Sequence, residues 1–407
     1  MSAPRVIVVG GGAAGFFAAI TCADANPGAD VTILEKTASF LGKVRISGGG
    51  RCNVTHNCFD AAALTTRFPR GERALRAPFK IFQVRDTVAW FESRGVKLKT
   101  ENDGRMFPTT DSSQTIIDCL IHAATAAGVK LKANSSVARV TKKSPGFDVT
   151  LASEEILECD RLLLATGGCR AAAAGELATS LGHNLEAPVP SLFTFHIQEA
   201  WVQKLSGVSV ATVAASIPDT KLREQGPLLL THWGLSGPVI LRLSAWGARI
   251  LHALNYQFTL RINWLPQLNA EQIAEELARK RETQPSRFLI NSPIAPLSFR
   301  LWEQLVTRAG VSAETRCAAL SRAAQHTLTQ QLTRTEFKVT GKSLNKDEFV
   351  TCGGVRQDEV DFKTMESRIC PGLYFAGELL DIDGITGGFN FQSAWTTGWL
   401  AGQSMAK

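Results

Sequence analysis

The 407-residue sequence has no C-x-x-C pair and only two tyrosines. Nine cysteines, an odd number without metal-ligand spacing, exclude a zinc ribbon or dithiol centre and favour free thiols in the cytoplasm. A net charge of +7 allows an anionic partner such as nucleic acid without requiring one. At 44% hydrophobic and 20% charged residues, the chain is neither disordered nor fibrous.

The sequence also lacks an uninterrupted apolar run of membrane-spanning length. Residues 6–23 carry no charge, but three consecutive glycines interrupt them and the stretch is at the short limit for a bilayer. Residues 5–9 instead predict a short buried strand and residues 16–25 a helix. We therefore expect no membrane partner, and no obligate protein partner is evident.

The glycines between that strand and helix form the pattern G-x-G-x-x-G. Gly10 permits a tight turn, Gly12 lets backbone approach a pyrophosphate, and Gly15 allows the helix to pack closely on the strand. The helix N-terminus then offers amide donors to phosphates. The cofactor contacts expected in this loop are Gly10, Gly12, Ala13, Ala14 and Gly15.

A second predicted strand, residues 31–34, ends at Glu35, twenty residues after Gly15. A carboxylate at this position can accept hydrogen bonds from both hydroxyls of an adenosine ribose and repels a 2′-phosphate. Glu35 therefore favours FAD or NAD over NADP. Both Glu35 and the adjacent Lys36 are expected to contact the cofactor.

A second glycine-rich segment, residues 41–53, favours FAD over NAD. It is predicted as a polar loop whose glycines suit backbone running along an elongated ligand, with Lys43, Arg51 and Asn53 as donors. A plain NAD dehydrogenase has no need of such a loop. The expected contacts are Gly42, Lys43, Ser47, Gly48, Gly49, Gly50, Arg51, Cys52 and Asn53.

The run Ser47–Asn53 resembles the hallmark of a bacterial family of NAD(P)/FAD-dependent flavoproteins that includes ribosomal RNA dihydrouridine synthases and aminoacetone oxidases. The resemblance continues along the chain at residues 160–168, 231–238, 353–355, 364–367 and 371–394. It implies a third FAD segment at Ala165, Thr166 and Gly167. The sequence departs from the family's pattern at residues 169–175, which weakens the transfer of substrate identity but not of FAD binding.

The C-terminal run adds further expected FAD contacts. Residues 372–378 predict a strand that ends in glycine and an acid, and residues 393–406 predict a helix whose N-terminus suits the pyrimidine edge of a flavin. The acid, Glu378, suits the ribityl and phosphate part of FAD, and Asp381 and Asp383 are alternatives to it. The contacts expected in this run are Gly377, Glu378, Asp381, Gly388, Asn390 and Phe391. Val137, much earlier in the chain, is expected as a further contact.

The middle of the chain predicts a different architecture. Short strands are expected at residues 191–197, 208–217, 227–231, 257–264 and 336–340, and helices at 269–281, 298–308 and 312–332. The fold class expected is α/β, a Rossmann-like, glutathione-reductase-like FAD-binding domain with an inserted β-barrel domain and a small helical domain. The predicted boundaries are 1–190 with 346–407 for the FAD domain, 191–265 with 333–345 for the barrel, and 266–332 for the helices.

No second G-x-G-x-x-G follows a strand, so we expect NAD(P)H, if it is the reductant, to visit the flavin transiently. Two reaction classes stay open: hydride delivery from FAD to an electron-poor double bond such as that of uracil, and oxidation of a small amine with oxygen as acceptor. A flavin-dependent sensor or assembly protein is a third, non-enzymatic class. The resemblance and the net charge favour a uracil in large-subunit ribosomal RNA.

Two residues are candidates for proton transfer. His232 lies in residues 231–238, one of the segments that resemble the family, where it either donates a proton or hydrogen-bonds backbone to fix the turn. Cys52 is either a proton donor or a buried, inert thiol. For nucleic acid, Arg73, Arg76 and Lys80 would share one side of a helix that begins near Glu72, either as a phosphate-tracking face or as ordinary solvated surface.

Overall fold

The computed structural model describes residues 4–169, 172–343 and 350–407. Two compact units divide the chain, residues 1–191 with 345–407 and residues 192–344. The predicted boundary between residues 345 and 346 lies outside the described residues, as do Arg170 and Ala171 of the segment that departs from the family pattern. Within the described ranges, no helix combines the length and apolarity needed to cross a membrane.

The first unit begins with a βαβ arrangement, as the G-x-G-x-x-G motif predicts. Its elements up to residue 191 are β1 (Arg5–Val9), α1 (Ala13–Ala25), β2 (Asp30–Leu34), α2 (Gly42–Gly50), β3 (Thr55–His56), α3 (Ala61–Thr65), α4 (Pro78–Ile81), α5 (Val84–Glu92), β4 (Leu98–Thr100), β5 (Arg105–Pro108), α6 (Ser113–Ala126), β6 (Lys130–Lys132), β7 (Val137–Lys142), β8 (Phe147–Leu151), β9 (Ile156–Cys159), β10 (Arg161–Leu164), α7 (Ala172–Ser180) and β11 (Leu185–Ser191).

The second unit contains a closed barrel in the order β12-β15-β14-β13-β16-β17, with helices between β16 and β17. Its elements are β12 (Thr194–Ile197), α8 (Ala200–Lys204), β13 (Ser209–Ser216), β14 (Arg223–Thr231), β15 (Gly234–Ser236), α9 (Pro238–Trp246), α10 (Ala248–Ala253), β16 (Phe258–Asn263), α11 (Ala270–Thr283), α12 (Phe299–Arg308), α13 (Arg322–Arg334) and β17 (Thr335–Ser343).

The chain then returns to the first unit and completes its sheet. The returning elements are β18 (Val350–Val355), β19 (Val360–Asp361), β20 (Glu366–Ser367), β21 (Leu373–Phe375) and α14 (Phe389–Met405). The seven-stranded sheet has the order β19-β20-β21-β10-β1-β2-β6, and the strands from β21 to β6 run parallel. Helix α14 packs against α1 through small residues: a Cβ built at Gly398 would lie 2.5 Å from the Ala14 carbonyl oxygen.

Parallel pairing brings four chain segments to one edge of this sheet. In register, Val8 of β1 lies between Leu163 of β10 and Ile33 of β2, and β21 continues the sheet beyond β10. The carboxyl ends of these strands therefore meet, and ligands of open α/β sheets bind outside that edge. The loops after β1, β2, β10 and β21 hold the residues predicted from the sequence to contact FAD.

Four predictions of local structure were wrong in extent. Residues 41–53 are not a plain loop, because residues 42–50 form α2, with a kink where Gly48 and Gly49 adopt positive φ. The last helix begins at Phe389 rather than Ser393. The helix expected at 312–332 begins only at Arg322, where the Ser321 hydroxyl caps it by accepting from the Ala324 amide at 3.2 Å. The helix expected from Glu72 is split into a 3₁₀ turn at residues 74–76 and the short α4.

Candidate functional site

The loop after β1 is built by two glycines that no other residue can replace without a clash. Gly10 has a φ of +115°, and a Cβ on it would lie 2.3 Å from the Ala165 carbonyl oxygen. A Cβ on Gly15 would lie 2.0 Å from the Gly10 carbonyl oxygen. Gly12, by contrast, has no neighbouring atom within 4 Å of its Cβ position, so open space lies over the loop at the start of α1.

Glu35 closes this loop from the second strand. Its Oε2 accepts a hydrogen bond from the Gly11 amide at 2.9 Å, and its Oε1 accepts from the Thr37 amide at 2.9 Å and the Thr37 hydroxyl at 2.8 Å. The carboxylate is half-buried, and Lys36 beside it is exposed. Glu35 is therefore both a structural acceptor and a candidate partner for a ribose.

Helix α2 places three glycines in open space. Gly42, Gly49 and Gly50 have no neighbouring atom within 4 Å of their Cβ positions, whereas Gly48 packs against Phe107 and Asn53. The Ser47 hydroxyl donates to the Val44 carbonyl within the same helix. These open positions suit backbone that runs along a ligand.

The three donors expected in this segment already have protein partners. Lys43 Nζ is 2.6 Å from Glu378 Oε2. Arg51 pairs with Glu101 at 2.6 Å and lies over the Phe107 ring. The Asn53 amide, oriented to satisfy both of its atoms, donates to the Thr55 carbonyl at 2.9 Å and accepts from the Gly388 amide at 3.0 Å. These side chains shape the site, and backbone groups are left as the principal donors to a cofactor.

Cys52 is fully buried, and burial raises the pKa of its thiol to about 12. The thiol therefore stays protonated at neutral pH and has no access to solvent. This environment favours the inert thiol over the proton donor among the two alternatives for Cys52.

The third predicted segment follows β10. The Ala165 amide donates to the Val9 carbonyl at 2.9 Å, which joins this segment to the first glycine loop. Thr166 and Gly167 are half-buried, and the Cβ position of Gly167 is open. Val137 begins β7 in a separate three-stranded sheet. Two residues before it in the chain, the Ser135 amide donates to the Glu35 carbonyl at 2.8 Å.

The segment after β21 is held by hydrogen bonds from distant residues. The Gly377 amide donates to the Thr397 hydroxyl at 3.0 Å, and Glu378 Oε1 accepts from the Thr351 amide at 2.8 Å. Asp381 is buried. Asp383, the other acid considered near the ribityl chain, is fully buried against Arg70, which leaves it no surface for a ligand.

Helix α14 begins with a tight glycine turn. Gly388 is its N-terminal cap with a φ of +93°, no acidic residue lies in the first turn and no side chain caps it. The side-chain amide of Asn390 is occupied by the backbone of Gly384. Asn390 Nδ2 donates to the Gly384 carbonyl at 2.9 Å, and Asn390 Oδ1 accepts from the Gly384 amide at 2.8 Å. Phe391 stacks on Trp395 with ring centroids 5.5 Å apart. Asn390 and Phe391 therefore fix the helix start.

His56 is a residue that the sequence reasoning missed. Its ring stacks on Phe389 with centroids 4.6 Å apart, and its Nδ1 lies 3.0 Å from the Gly387 carbonyl oxygen. Burial lowers the pKa of His56, so the neutral ring with a proton on Nδ1 fits this contact. Because His56 and Gly387 are 331 positions apart, no local pattern could have indicated the pair.

These features together fit an elongated dinucleotide. The backbone at Gly12, Gly42, Gly49, Gly50 and Gly167 is open to a ligand. Helices α1 and α14 both begin without a side-chain cap or an acidic residue in the first turn, so their N-terminal amides are available to negative charge. The residues present therefore suit FAD: α1 for the pyrophosphate, Glu35 for the ribose and the start of α14 for the flavin.

His232 lies in the second unit, in the turn between β14 and β15. This turn is closed without it: the Thr231 hydroxyl donates to the Gly234 carbonyl at 3.1 Å, and the Ile197 amide donates to the Trp233 carbonyl at 3.0 Å. The His232 side chain is exposed, and we find no hydrogen bond from it to any described residue; its ring lies 4.6 Å from that of Trp233. The alternative in which His232 fixes the turn is therefore not supported.

The three cations predicted to face nucleic acid are all exposed. Arg73 precedes the 3₁₀ turn, Arg76 ends it, and Lys80 lies in α4. Arg76 is 2.8 Å from Glu72, but both side chains are largely exposed, so the pair is weak. The cations thus follow two short elements rather than one face of a continuous helix.

Comparisons with known proteins agree with this arrangement. The model of the family described as "HI0933-like protein Rossmann domain" matches residues 4–404. The chain is 30% identical to a 3-dehydro-bile acid delta(4,6)-reductase of Clostridium scindens, over 99% of both chains. It is also 30% identical to a ribosomal RNA dihydrouridine synthase of Escherichia coli, over 98% of this chain and 97% of the relative.

Among solved structures, the 3-ketosteroid delta1-dehydrogenase of Sterolibacterium denitrificans matches all of this chain and all of its own, with a TM-score of 0.51 at 14% identity. At that identity the likeness concerns the fold alone. The predicted fold class, a Rossmann-type FAD-binding domain combined with a barrel, is confirmed. FAD as the cofactor is confirmed by the family match.

Proposed function

Since the chain belongs to the HI0933-like Rossmann family and is an FAD-dependent oxidoreductase, we propose that it reduces a carbon–carbon double bond conjugated to a carbonyl group. The observation that carries this proposal is the chemistry shared by two relatives of equal identity. One is named for reduction at Δ(4,6) of a 3-oxo bile acid, and the other for the synthesis of dihydrouridine, in which the C5=C6 bond of uracil is saturated. In both substrates a carbonyl makes the alkene electron-poor.

As substrate we propose a uracil base in large-subunit ribosomal RNA. The net charge of +7 and the exposed Arg73, Arg76 and Lys80 support an anionic substrate. The steroid dienone is the second candidate, supported by the full-length similarity to the bile acid reductase.

The chemistry divides between the cofactor and the chain. FAD, when bound and reduced, supplies a hydride, and we propose NAD(P)H as its transient electron donor. The N-terminal amides of α1 bind the phosphates, and those of α14 offer partial positive charge to the flavin edge. Addition of hydride to one alkene carbon leaves the other to take a proton. We propose that a ring N–H of His232 supplies that proton, because His232 lies in the segment 231–238 that resembles the family.

A stopped-flow experiment tests the proposal. The FAD-loaded protein is reduced with NADPH or NADH without oxygen, and is then mixed with unmodified ribosomal RNA, with a steroid 4,6-dien-3-one, or with oxygen. We expect RNA to reoxidise the flavin and gain two mass units at one uridine. Reoxidation by the steroid alone would support the second candidate. Fast reoxidation by oxygen with neither alkene reacting would contradict the proposal and favour a small-amine oxidase.

A further inference from the structure

A buried ion pair joins two distant segments of the first unit. Arg70 Nε donates to Asp383 Oδ1 at 2.5 Å, and Arg70 Nη2 donates to Asp383 Oδ2. The Ser191 hydroxyl donates to Asp383 Oδ2 at 2.8 Å. The Asp383 side chain is 0% exposed and that of Arg70 is 12% exposed, so the pair is shielded from water.

The backbone pairs along the same segments. Arg70 and Asp383 form an antiparallel bridge, in which the Asp383 amide donates to the Arg70 carbonyl at 3.3 Å. The Ile385 amide donates to the Arg67 carbonyl at 2.9 Å. Residues 383–385 are therefore fixed by both backbone and side chain to residues 67–70.

These residues lead directly into the start of α14. Gly384 is held by the Asn390 amide, and the Gly387 carbonyl lies 3.0 Å from His56 Nδ1. A Cβ on Gly388 would lie 2.6 Å from the Thr55 carbonyl oxygen. Any displacement of Asp383 is thus transmitted along a segment that has little freedom before it reaches the first amides of α14.

The chemistry of the pair indicates why charge is used here. Removing two ions from water costs much of what their attraction returns, and apolar side chains of similar volume often hold two segments equally well. What a bidentate guanidinium–carboxylate pair adds is direction, because both hydrogen bonds fix one relative orientation. A role in orientation accounts for the pair better than a role in stability alone.

We infer that Arg70 is a positioning residue for the flavin: through Asp383 it sets the orientation of residues 383–388 and hence of the first α14 amides, to which we assign the flavin edge. This inference rests on the proposed function only in placing the flavin at the start of α14. It does not depend on which substrate is reduced.

The test compares Arg70→Gln, Arg70→Lys, Asp383→Asn and Ser191→Ala with the wild type. We measure the FAD dissociation constant, the visible spectrum of bound FAD, its midpoint potential and the melting temperature of the FAD-free protein. Arg94→Gln is the matched control, because Arg94 also pairs with an aspartate, Asp24 at 3.0 Å, but at a more exposed place in the same unit.

We expect Arg70→Gln and Asp383→Asn to raise the FAD dissociation constant at least about tenfold and to shift the flavin spectrum and potential. Arg70→Lys and Ser191→Ala should give smaller shifts in the same direction, and Arg94→Gln none. The inference would be overturned by variants that melt at a lower temperature but keep the wild-type FAD dissociation constant, flavin spectrum and midpoint potential. If Arg70→Gln and Asp383→Asn do not fold, Arg70→Lys and Ser191→Ala decide it by the same criterion.

The readouts use no substrate, so they separate this inference from the proposed function. A protein whose flavin responds to these substitutions but reduces no conjugated alkene would contradict the proposed function and leave the inference standing.

Discussion

Gly15 lies so close to Gly10 that a Cβ on Gly15 would be 2.0 Å from the Gly10 carbonyl oxygen. Three residues earlier in the chain, a Cβ on Gly12 would meet no atom within 4 Å. The two glycines of one motif therefore have different physical reasons for being glycine. Gly15 is required by the fold, whereas no described atom near Gly12 requires glycine there, and we propose that the ligand does.

This difference gives the first prediction. Gly15→Ala should destabilise the FAD-free protein by at least about 2 kcal/mol, because backbone cannot move away from the added methyl group. Gly12→Ala should cost less than about 1 kcal/mol as a change of helix cap, but should weaken FAD binding by about tenfold or more because the methyl group occupies the approach to the pyrophosphate. Urea unfolding of the FAD-free protein and FAD titration measure the two effects. Equal effects of the two substitutions on stability would contradict the assignment.

Glu35 gives the second prediction, because its carboxylate holds the Gly11 amide and can also bind a ribose. Glu35→Ala removes both interactions and should raise the FAD dissociation constant by about 10- to 100-fold, the range for losing hydrogen bonds to a charged group. Glu35→Gln keeps one acceptor oxygen and should have a smaller effect. Glu158→Ala, which removes a surface partner of Arg5, is the control and should leave FAD binding unchanged. A Glu35→Ala protein that binds FAD with wild-type affinity would contradict the assignment of Glu35 to the ribose.

Features encoded within a few residues were predictable from the sequence. The strand, glycine loop and helix of residues 5–25 follow from local pattern, and so does the parallel sheet that they imply. The barrel fold was also predictable, because its strands are short alternating segments. The extent of α13 was not, since Ser321 and not Ser312 supplies the cap.

Interactions between distant residues were not predictable. Arg51 and Lys43 were expected to face the cofactor, but their carboxylate partners, Glu101 and Glu378, lie 50 and 335 positions away. Arg70 pairs in the interior with Asp383, 313 positions away, and no local pattern indicates that pair. Charge alone cannot distinguish a side chain that binds a ligand from one that pairs within the fold.

His183 occupies a second buried polar network. Its Nδ1 is 2.9 Å from Glu359 Oε2 and its Nε2 is 2.9 Å from Ser367 Oγ. This order of groups is that of a hydrolase triad, but Ser367 is 6% exposed and its oxygen also accepts from the Cys370 amide at 2.8 Å. The arrangement is therefore a structural link between the residues that precede β11 and the strands at the sheet edge.

The third prediction follows from the direction of the His183 pKa. Burial lowers this pKa, and the hydrogen bond to Glu359 offsets only part of the shift. The ordinary pKa of histidine is about 6.5. Above this pH the His183 imidazole is neutral in both the folded and the unfolded protein, and its contribution to stability is fully present. Below pH 6.5 the unfolded chain binds a proton that the native state does not, so the free energy of unfolding falls by up to about 1.4 kcal/mol per pH unit until the native pKa is reached.

His183→Gln tests this dependence. The substitution should lower stability at pH 7.5 and reduce the loss between pH 6.5 and 5, as measured by urea unfolding. His56, whose pKa burial also lowers, stays in both proteins and cancels in the comparison. Parallel stability profiles for the two proteins would rule out His183 as the source of the dependence.

The fourth prediction concerns His232 as proton donor. His232→Gln should slow reduction of the double bond by about 10²- to 10⁴-fold, but should leave the FAD dissociation constant and the rate of flavin reduction by NAD(P)H unchanged. Thr231→Val, which removes the hydroxyl that closes the turn, is the comparison and should lower the melting temperature instead. A His232→Gln protein with wild-type turnover would exclude the imidazole as the acid.

The fifth prediction concerns the exposed cations Arg73, Arg76 and Lys80. Replacing all three by alanine removes up to three phosphate contacts. For a single strand, each contact contributes about 0.7 to the slope of log affinity against log salt, so the slope should become shallower by up to about 2.

The control for this surface is a triple alanine variant of Arg279, Arg281 and Arg287. These side chains are also exposed, and Arg279 pairs with Glu276 much as Arg76 pairs with Glu72. Both variants lose three positive charges, so net charge alone predicts equal loss of RNA affinity. If RNA instead contacts Arg73, Arg76 and Lys80 directly, only the variant that lacks these three residues should bind RNA more weakly and with a shallower salt slope. Equal losses would show that RNA responds to the overall charge of the protein, and would remove these three residues from the proposed substrate contact.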